Sequence, residues 1–131
     1  MIVANTNLIC YLLIDGDNTE SARRIYSKDP DWHVPHLWRS EFLNVLAVSV
    51  QVGVITRTQA EILLPQAIRL FSSNEHEPGA EATLATAIDS HISAYDAQFV
   101  TVARHLKCPL ITWDKKILTN CPTLAISPST F

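Results

Sequence analysis

The sequence predicts a layered α/β fold with a mainly parallel central sheet. Short apolar segments that are typical of buried strands alternate with longer segments whose apolar residues recur at helical spacing. The chain has 131 residues, 47% of them hydrophobic, which is enough for the core of one domain and too little for two domains. We therefore expect a single domain over residues 1–131.

The first half of the chain predicts two strands, at residues 1–4 and 32–34, with a turn at 5–7 after the first. Three helices are expected, over residues 8–13, from 19 to about 27, and from about 38 to 52. Thr19 is the predicted N-cap of the second of these helices, and Gly53 suits the C-terminal cap of the third.

The second half of the chain predicts two further strands, at residues 109–112 and 124–126. Thr56 is the predicted N-cap of a helix over residues 57–71, in which Pro65 predicts a kink or a break. The polar segment 72–79 predicts a loop with room for a short strand. Further helices are expected over residues 80–89, 95–106 and, as a short helix or turn, 114–118.

The overall charge restricts how this chain can meet nucleic acid. Its formal net charge is −3 and its sequence pI is about 5.9, whereas proteins that bind nucleic acid by neutralising phosphates are usually basic. Contact with RNA would therefore need a local basic rim, metal ions or a basic partner, and the alternative is that the protein never touches nucleic acid.

The cysteines and the apolar segments bear on where the protein is found. Three cysteines without zinc-site or disulfide spacing indicate reduced thiols, and Cys10 and Cys108 lie in apolar runs typical of a core. We find neither a signal peptide nor an apolar stretch long enough to span a membrane. We expect a soluble, cytoplasmic protein.

Four polar residues are predicted to meet at one edge of the sheet. Asn5 follows the first strand, and Asp114 follows the strand that ends at Thr112. Glu41 is expected in the first turn of its helix, and Asp96 at the start of the helix over residues 95–106. In open parallel sheets, the carboxyl ends of strands and the first turns of the following helices face the same edge, where ligands bind. We therefore expect the four side chains to line one cleft.

A cleft with several carboxylates is a typical site for a hard divalent cation. Mg²⁺ and Mn²⁺ prefer oxygen ligands, and such an ion can activate a water molecule and stabilise charge on a phosphoryl group. Each acid also has a simpler explanation, since Glu41, Asp96 and Asp114 taken singly could serve only to cap a helix or to stabilise its dipole.

Three segments resemble the PIN-domain family, and more narrowly its VapC-type toxin branch. The opening reads IVANTNLICYLL, where the family has an aspartate followed by Thr-Asn or Thr-Ser. The segment Arg39-Ser40-Glu41-Phe42 resembles the second acidic motif of the family. The third and fourth motifs together resemble HISAYDAQFVTVARHLKCPLITWDKKIL. The resemblance spans nearly the whole chain in the family's order.

The resemblance implies a three-layer α/β/α sandwich that cleaves RNA with Mg²⁺ or Mn²⁺. Glu41, Asp96 and Asp114 would be acidic metal ligands, with position 5 completing the catalytic set. Supporting hydrogen bonds would come from Thr6, Asn7 and Thr112. A cognate antitoxin would hold the enzyme inactive, and the protein would form a homodimer.

The chain departs from the family at Asn5. Asparagine offers a carbonyl oxygen but supplies neither negative charge nor a base, so metal binding and hydrolysis should be weaker while the fold and partner binding persist. The residue was either changed deliberately to allow expression of a toxic nuclease, or the protein is a naturally weakened member of the family.

Several residues near the predicted cleft are candidates for contact with RNA. Arg39, Lys115 and Lys116 could contact phosphates, although a pair of lysines is more often simply solvated surface. Trp38 and Trp113 could stack on an unpaired base, although packing is the favoured interpretation of both residues.

Three functions remain open on the sequence. The leading hypothesis is a Mg²⁺- or Mn²⁺-dependent endoribonuclease, the toxin of a toxin–antitoxin pair. The second is a non-catalytic PIN-like module that binds RNA or a partner protein. The third is a metal-dependent phosphoesterase that acts on DNA or on small phosphates.

Overall fold

The computed structural model describes all residues from 1 to 131 and contains five strands and seven α-helices. The strands are β1 (Ile2–Ala4), β2 (Trp32–Pro35), β3 (Glu75–His76), β4 (Leu110–Ile111) and β5 (Ala125–Ile126). The helices are α1 (Thr6–Leu13), α2 (Thr19–Lys28), α3 (Leu37–Gln51), α4 (Arg57–Phe71), α5 (Ala80–Ser90), α6 (Ala94–Leu106) and α7 (Lys115–Asn120). A 3₁₀ turn covers Ser72–Asn74. None of these helices combines the length and the apolar character needed to traverse a bilayer.

The five strands form one parallel sheet in the order β3-β2-β1-β4-β5. The chain builds outward from β1 to β2 and β3, then returns to the other side of β1 to add β4 and β5. The strand order therefore reverses between β1 and β4, and open α/β sheets bind ligands in the crevice at such a point. The predicted α/β/α fold with a mainly parallel sheet is confirmed.

The core is a single cluster of 27 buried hydrophobic residues centred on the inner strands. Ile2, Val3 and Ala4 of β1 and both residues of β4 are completely buried, because helices cover both faces of a parallel sheet. This explains why the strands read as unbroken apolar runs rather than as alternating patterns. Helix α6 packs against β1, β2 and β4, which fixes the position of its first turn at the sheet edge.

The start of α2 differs from the prediction by one residue. Asn18 is at the N-cap and forms no side-chain capping bond, whereas Thr19 is the first residue of the helix. The Thr19 hydroxyl closes the preceding turn instead: it donates to the Ile14 carbonyl at 3.1 Å and accepts from the Gly16 amide at 2.9 Å. The prediction of Thr19 as N-cap is wrong because the hydroxyl has partners on the other side of the turn.

Helix α4 begins as predicted but does not break at Pro65. Thr56 and Gln59 form a reciprocal capping box, with bonds of 3.1 and 2.8 Å. Pro65 lies inside the continuous helix, although proline removes one helical hydrogen bond. Ala67 and Phe71, both buried, follow it, so core packing holds the second half of the helix in place and the predicted break is absent.

Two further features agree with the sequence. Gly53 follows α3 with φ of +81°, the left-handed backbone that glycine adopts without strain. Cys10, Cys108 and Cys121 are all buried and none forms a disulfide, as expected for structural thiols.

Candidate functional site

A cleft of about 650 Å³ opens at the edge of the sheet where β1 and β4 end. Asn5, Glu41, Asp96 and Asp114 all line it. Ala4 is opposite Ile111 in the pairing of β1 with β4, so the chain leaves the two central strands at the same level. The cleft therefore lies at the point where the strand order reverses.

Asn5 is tied to both central strands and to the helix that follows. Its backbone N–H donates to the Ile111 carbonyl at 3.2 Å. It is also the N-cap of α1, where its side-chain oxygen accepts a 3.3 Å bond from the Asn7 amide. An aspartate would provide the same capping oxygen, so the local backbone suits either residue.

Glu41 reaches the cleft from α3 and is bound by Thr6. Helix α3 begins at Leu37 and has no acid in its first turn, so the expectation that Glu41 lies in that turn is wrong, and capping does not explain this residue. The Thr6 hydroxyl donates to Glu41 Oε1 at 2.7 Å. Burial raises the pKa of Glu41; the Thr6 bond opposes this effect and the charge of Asp96 adds to it.

Asp96 lies in the first turn of α6, but it is not the cap of that helix. The capping residue is Ser93, whose Oγ accepts a 3.0 Å bond from the Asp96 amide. Burial raises the pKa of Asp96, and the negative charge of Asp114 raises it further, while Lys116 acts in the opposite direction. Asp96 thus lines the cleft as a carboxylate within electrostatic reach of Asp114.

Asp114 caps helix α7 and also lines the cleft. It is the N-cap of α7, and its Oδ1 accepts a 2.9 Å bond from the Ile117 amide. The capping explanation thus accounts for one carboxylate oxygen of Asp114. Thr112 is completely buried beneath it and accepts a 3.0 Å bond from the Asp114 amide, which orients the backbone that carries the carboxylate.

Asn7 is the one supporting residue with an unsatisfied atom. It lines the cleft, yet its Oδ1 is buried and has no hydrogen-bond partner. Buried polar atoms normally have a hydrogen-bond partner. The Asn7 side-chain oxygen therefore differs from the hydroxyls of Thr6 and Thr112, which are each hydrogen-bonded to an acidic residue of the site.

The chemistry of the cleft suits a hard divalent cation. Its candidate ligands are all oxygen atoms: three carboxylates and the amide of Asn5. Carboxylate repulsion, which helps to raise the pKa of Glu41 and Asp96, would be relieved by a cation. No three His, Cys, Asp or Glu side chains are close enough to enclose an ion. An ion would therefore bind through one or two carboxylates and keep several waters, as Mg²⁺ commonly does.

The basic candidates for RNA contact lie outside the lining of the acidic cleft. Arg39 does not line the cleft, and its Nε donates to Glu75 at 2.7 Å in a two-pronged ion pair. Lys115 and Lys116 are exposed at the start of α7.

The two tryptophans near the site also differ. Trp38 is completely buried against Phe42 and Phe71, so its packing in the core is confirmed and stacking on a base is excluded. Trp113 is half-buried and meets Tyr11 edge-on at 5.1 Å between ring centroids.

Tyr95 and Asn44 also line the cleft, and neither was assigned a role from the sequence. Tyr95 precedes Asp96 and is 66% exposed, which makes it a rim aromatic available for stacking. Asn44 lies three residues after Glu41 and lines the same cleft. The signal for Asn44 was helical spacing, since residues three apart share a face, and for Tyr95 it was adjacency to an acid.

Comparison with known proteins places the chain among related sequences. Residues 2–120 match the PIN domain model. The chain is also 24% identical over 126 residues to a protein named Ribonuclease VapC3 from Pyrobaculum aerophilum, with 94% of this chain and 96% of that protein covered.

Two solved structures have the same fold. One is FitAcB from Neisseria gonorrhoeae, with a TM-score of 0.77, 18% identity and full coverage of both chains. The other is a toxin-antitoxin complex from Klebsiella pneumoniae, with a TM-score of 0.68, 18% identity and 98% of each chain covered.

Proposed function

The chain belongs to the PIN-domain family, and on this basis we propose that it is a Mg²⁺- or Mn²⁺-dependent endoribonuclease whose activity is weakened by Asn5. We further propose that it is the toxin of a toxin–antitoxin pair and acts in the cytoplasm. The observation that carries the proposal is the meeting of Asn5, Glu41, Asp96 and Asp114 in one cleft between the ends of β1 and β4.

The proposed roles follow from the contacts of each residue. The ion would be bound directly by the Asn5 amide oxygen and by one or two of the carboxylates of Glu41, Asp96 and Asp114, and through its water molecules by the rest. Thr6 would orient Glu41 through its 2.7 Å bond, and Thr112 would orient Asp114 through the backbone. A divalent ion bound there would supply an activated water and neutralise charge on the scissile phosphate.

Asn5 would reduce the activity without disturbing the fold. Its side-chain oxygen keeps the capping bond to Asn7, but the cleft has one negative charge fewer than an aspartate would give it. A cation is held less strongly by three carboxylates than by four. The protein should therefore fold normally, bind metal weakly and cut RNA slowly.

RNA contact would come from the rim of the cleft rather than from Arg39. Tyr95 is exposed beside Asp96 and could stack on a base. Lys115 and Lys116 are exposed next to Asp114 and could contact flanking phosphates. These groups supply the local basic and aromatic rim that a protein of net charge −3 needs in order to hold RNA.

An antitoxin would bind an apolar surface away from the acids. A groove of about 200 Å³ is lined mainly by Leu13, Ile14, Ile55, Ile62 and Leu63. The similar structure from Klebsiella pneumoniae is a toxin-antitoxin complex, which supports an antitoxin as a partner of this chain.

A homodimer is also part of the proposal. Leu84 and Ile88, one turn apart on α5, are 60% and 63% exposed, as is typical of a face that packs against a second copy.

The decisive experiment compares RNA cleavage by this chain and by its Asn5→Asp variant, each with Mg²⁺, with Mn²⁺ and with a chelator. We expect Asn5→Asp to cut at least about 100-fold faster, because even changes outside a metal's ligand shell alter activity 10- to 100-fold. Asn44→Asp is the matched control, since it adds the same charge to the same cleft away from β1. It should not restore cleavage.

The alternatives give different results in the same assay. If neither form cuts any RNA while both bind RNA or a partner without metal, the protein is a non-catalytic PIN-like module. If the aspartate form prefers DNA or small phosphate esters to RNA, it is a different phosphoesterase. Equal activation by Asn44→Asp would show that added charge, rather than position 5, controls activity.

A further inference from the structure

Two histidine rings meet at the edge of the sheet, away from the acidic cleft. His33 on β2 and His76 on β3 approach to 2.8 Å, measured from Nδ1 of the first ring to Nε2 of the second. The His33 side chain is 12% exposed and His76 is half-buried. At this distance one nitrogen carries a proton and the other a lone pair, so the two rings already share one cation-sized position.

Asp31 fixes the tautomer of His33. Its Oδ1 lies 3.0 Å from His33 Nε2 and also accepts a 3.3 Å bond from Asn74 Nδ2. Because a carboxylate accepts hydrogen bonds, Nε2 of the neutral ring carries the proton and Nδ1 keeps its lone pair. A carboxylate that holds one ring nitrogen while the other binds a metal is the usual setting of a histidine ligand.

His76 is available as a neutral ligand at pH 7. Burial lowers its pKa, and nearby His33, His105 and His36 lower it further. A neutral ring can carry its proton on Nδ1, which leaves the lone pair of Nε2 directed toward His33. Protons therefore compete little with a metal ion for this nitrogen.

The surroundings of His76 allow a cation to enter. A cleft of about 500 Å³ lies beside β3 and is lined by His76, Glu77 and Arg104, among others. Glu77 offsets the charge of Arg104, and Glu81 lies in the first turn of the adjoining helix α5. The cleft is thus an open path to His76 that carries no excess of positive charge.

We propose that His33 Nδ1 and His76 Nε2 together bind a divalent transition-metal ion that favours imidazole, such as Zn²⁺. With Zn–N bonds of about 2.0–2.1 Å in tetrahedral geometry, the two nitrogens would lie about 3.3 Å apart, so the rings need to separate by only about 0.5 Å. No three His, Cys, Asp or Glu side chains are close enough to enclose an ion. Water molecules therefore complete the coordination, and the ion exchanges with solvent.

The bound ion would join the edge strand to the rest of the sheet. Strand β3 pairs only with β2, where Pro35 is opposite His76. Its other residue, Glu75, accepts a bond from Arg39 at the start of α3. The ion thus stabilises β3 and the start of the helix that carries Glu41. The site is separate from the acidic cleft, whose oxygen ligands favour Mg²⁺ over metals that prefer imidazole.

The test is NMR titration of the full chain with Zn²⁺ at neutral pH, in a large excess of Mg²⁺ that competes for the oxygen ligands of the acidic cleft. We expect saturable shifts of the ring signals of His33 and His76, and a higher Tm with Zn²⁺ than with a chelator. His76→Gln should weaken Zn²⁺ binding by more than about tenfold. Asp31→Asn should weaken it about tenfold, the lower end of the effect of losing a group that orients a histidine ligand.

The control is His91→Asn, which removes an exposed imidazole from the end of α5. Asparagine tolerates the left-handed backbone at this position, so the fold and the Zn²⁺ affinity should be unchanged. The proposal is overturned if Zn²⁺ shifts neither ring saturably, if Mg²⁺ alone reproduces the shifts, or if His76→Gln and His91→Asn bind Zn²⁺ alike. Full Zn²⁺ binding by both His76→Gln and Asp31→Asn would also overturn it and assign the ion to the acidic cleft.

Discussion

Glu75 connects the edge strand to the helix that carries Glu41. Its side chain is only 4% exposed. It accepts bonds from Trp38 Nε1 at 3.0 Å and from Arg39 Nε at 2.7 Å, and His36 Nδ1 lies 3.3 Å away. Bonding to Arg39 lowers the pKa of Glu75. Helix α3 has no side-chain N-cap of its own. Glu75 holds the first turn of this helix in place instead, because it accepts hydrogen bonds from Trp38 and Arg39.

Replacing Glu75 should therefore destabilise the protein although the residue lies outside the cleft. In Glu75→Ala the buried Trp38 indole loses its acceptor, which costs about 1–3 kcal/mol of the free energy of unfolding. Glu61→Ala is the matched control, because Glu61 pairs with Arg57 in an exposed position. Its effect should stay within about 0.5 kcal/mol. Urea unfolding measures both variants, and equal effects would contradict the anchoring role.

The sequence was more informative about the acids than about their neighbours. Asn5 and Asp114 could be located because each follows an apolar strand, and parallel strands end at a common edge. Their chemical roles remain predictions. The pairing of Arg39 could not be foreseen, because its partner, Glu75, lies in the polar segment 72–79, which follows no motif that points to Arg39.

Helix boundaries depend on local contacts, and only some of these contacts can be predicted from a sequence. The N-cap of α4 was predicted correctly at Thr56, and the structure adds that Gln59 completes a capping box with it. The N-cap of α2 was predicted one residue too late, because the Thr19 hydroxyl donates to the Ile14 carbonyl instead of capping the helix. Pro65 in α4 shows the same limit, since its local preference is overridden by the packing of Ala67 and Phe71.

The capping box gives a prediction at the scale of one helix. Thr56→Ala removes the acceptor for the Gln59 amide and should cost about 1 kcal/mol of stability. Thr58→Ala makes the same chemical change at an exposed position inside the first turn and should be neutral or slightly stabilising, because alanine is the better helix former. Thermal unfolding of both variants measures the difference, and an unchanged Tm for Thr56→Ala would contradict it.

The whole molecule should lose stability in mild acid because of His76. The rings of His33 on β2 and His76 on β3 are joined by a 2.8 Å contact between Nδ1 and Nε2. Burial lowers the pKa of His76, and nearby His33, His105 and His36 lower it further. The folded protein therefore takes up this proton less readily than the unfolded chain does.

The sign of the effect follows from linkage. Below the ordinary imidazole pKa of about 6.5, the unfolded chain is protonated at His76 while the folded protein resists it. Stability should thus fall as the pH decreases from 7 toward 5. Urea unfolding at several pH values should show a shallower fall for His76→Gln than for the parent chain. Parallel curves would mean that other groups cause the acid sensitivity.

The order of the strands was the least predictable part of the whole fold. The sequence indicated the layers, because apolar strands alternate with amphipathic helices. It allowed a short strand in segment 72–79 but did not indicate where β3 pairs, because its two residues, Glu75 and His76, are polar; they pair with the end of β2.

The three buried thiols make local opening of the protein measurable by chemical labelling. Burial raises the pKa of Cys10 to about 12, and a protonated, inaccessible thiol scarcely reacts with alkylating reagents. Cys10 lies in α1 beside the acidic cleft, Cys108 precedes β4 and Cys121 follows α7. The labelling rate at each sulfur would report how often that region opens. A ligand or an antitoxin that stabilises one region would slow the labelling of the cysteine in that region. The cysteine whose labelling rate falls would thus show where the ligand or antitoxin binds.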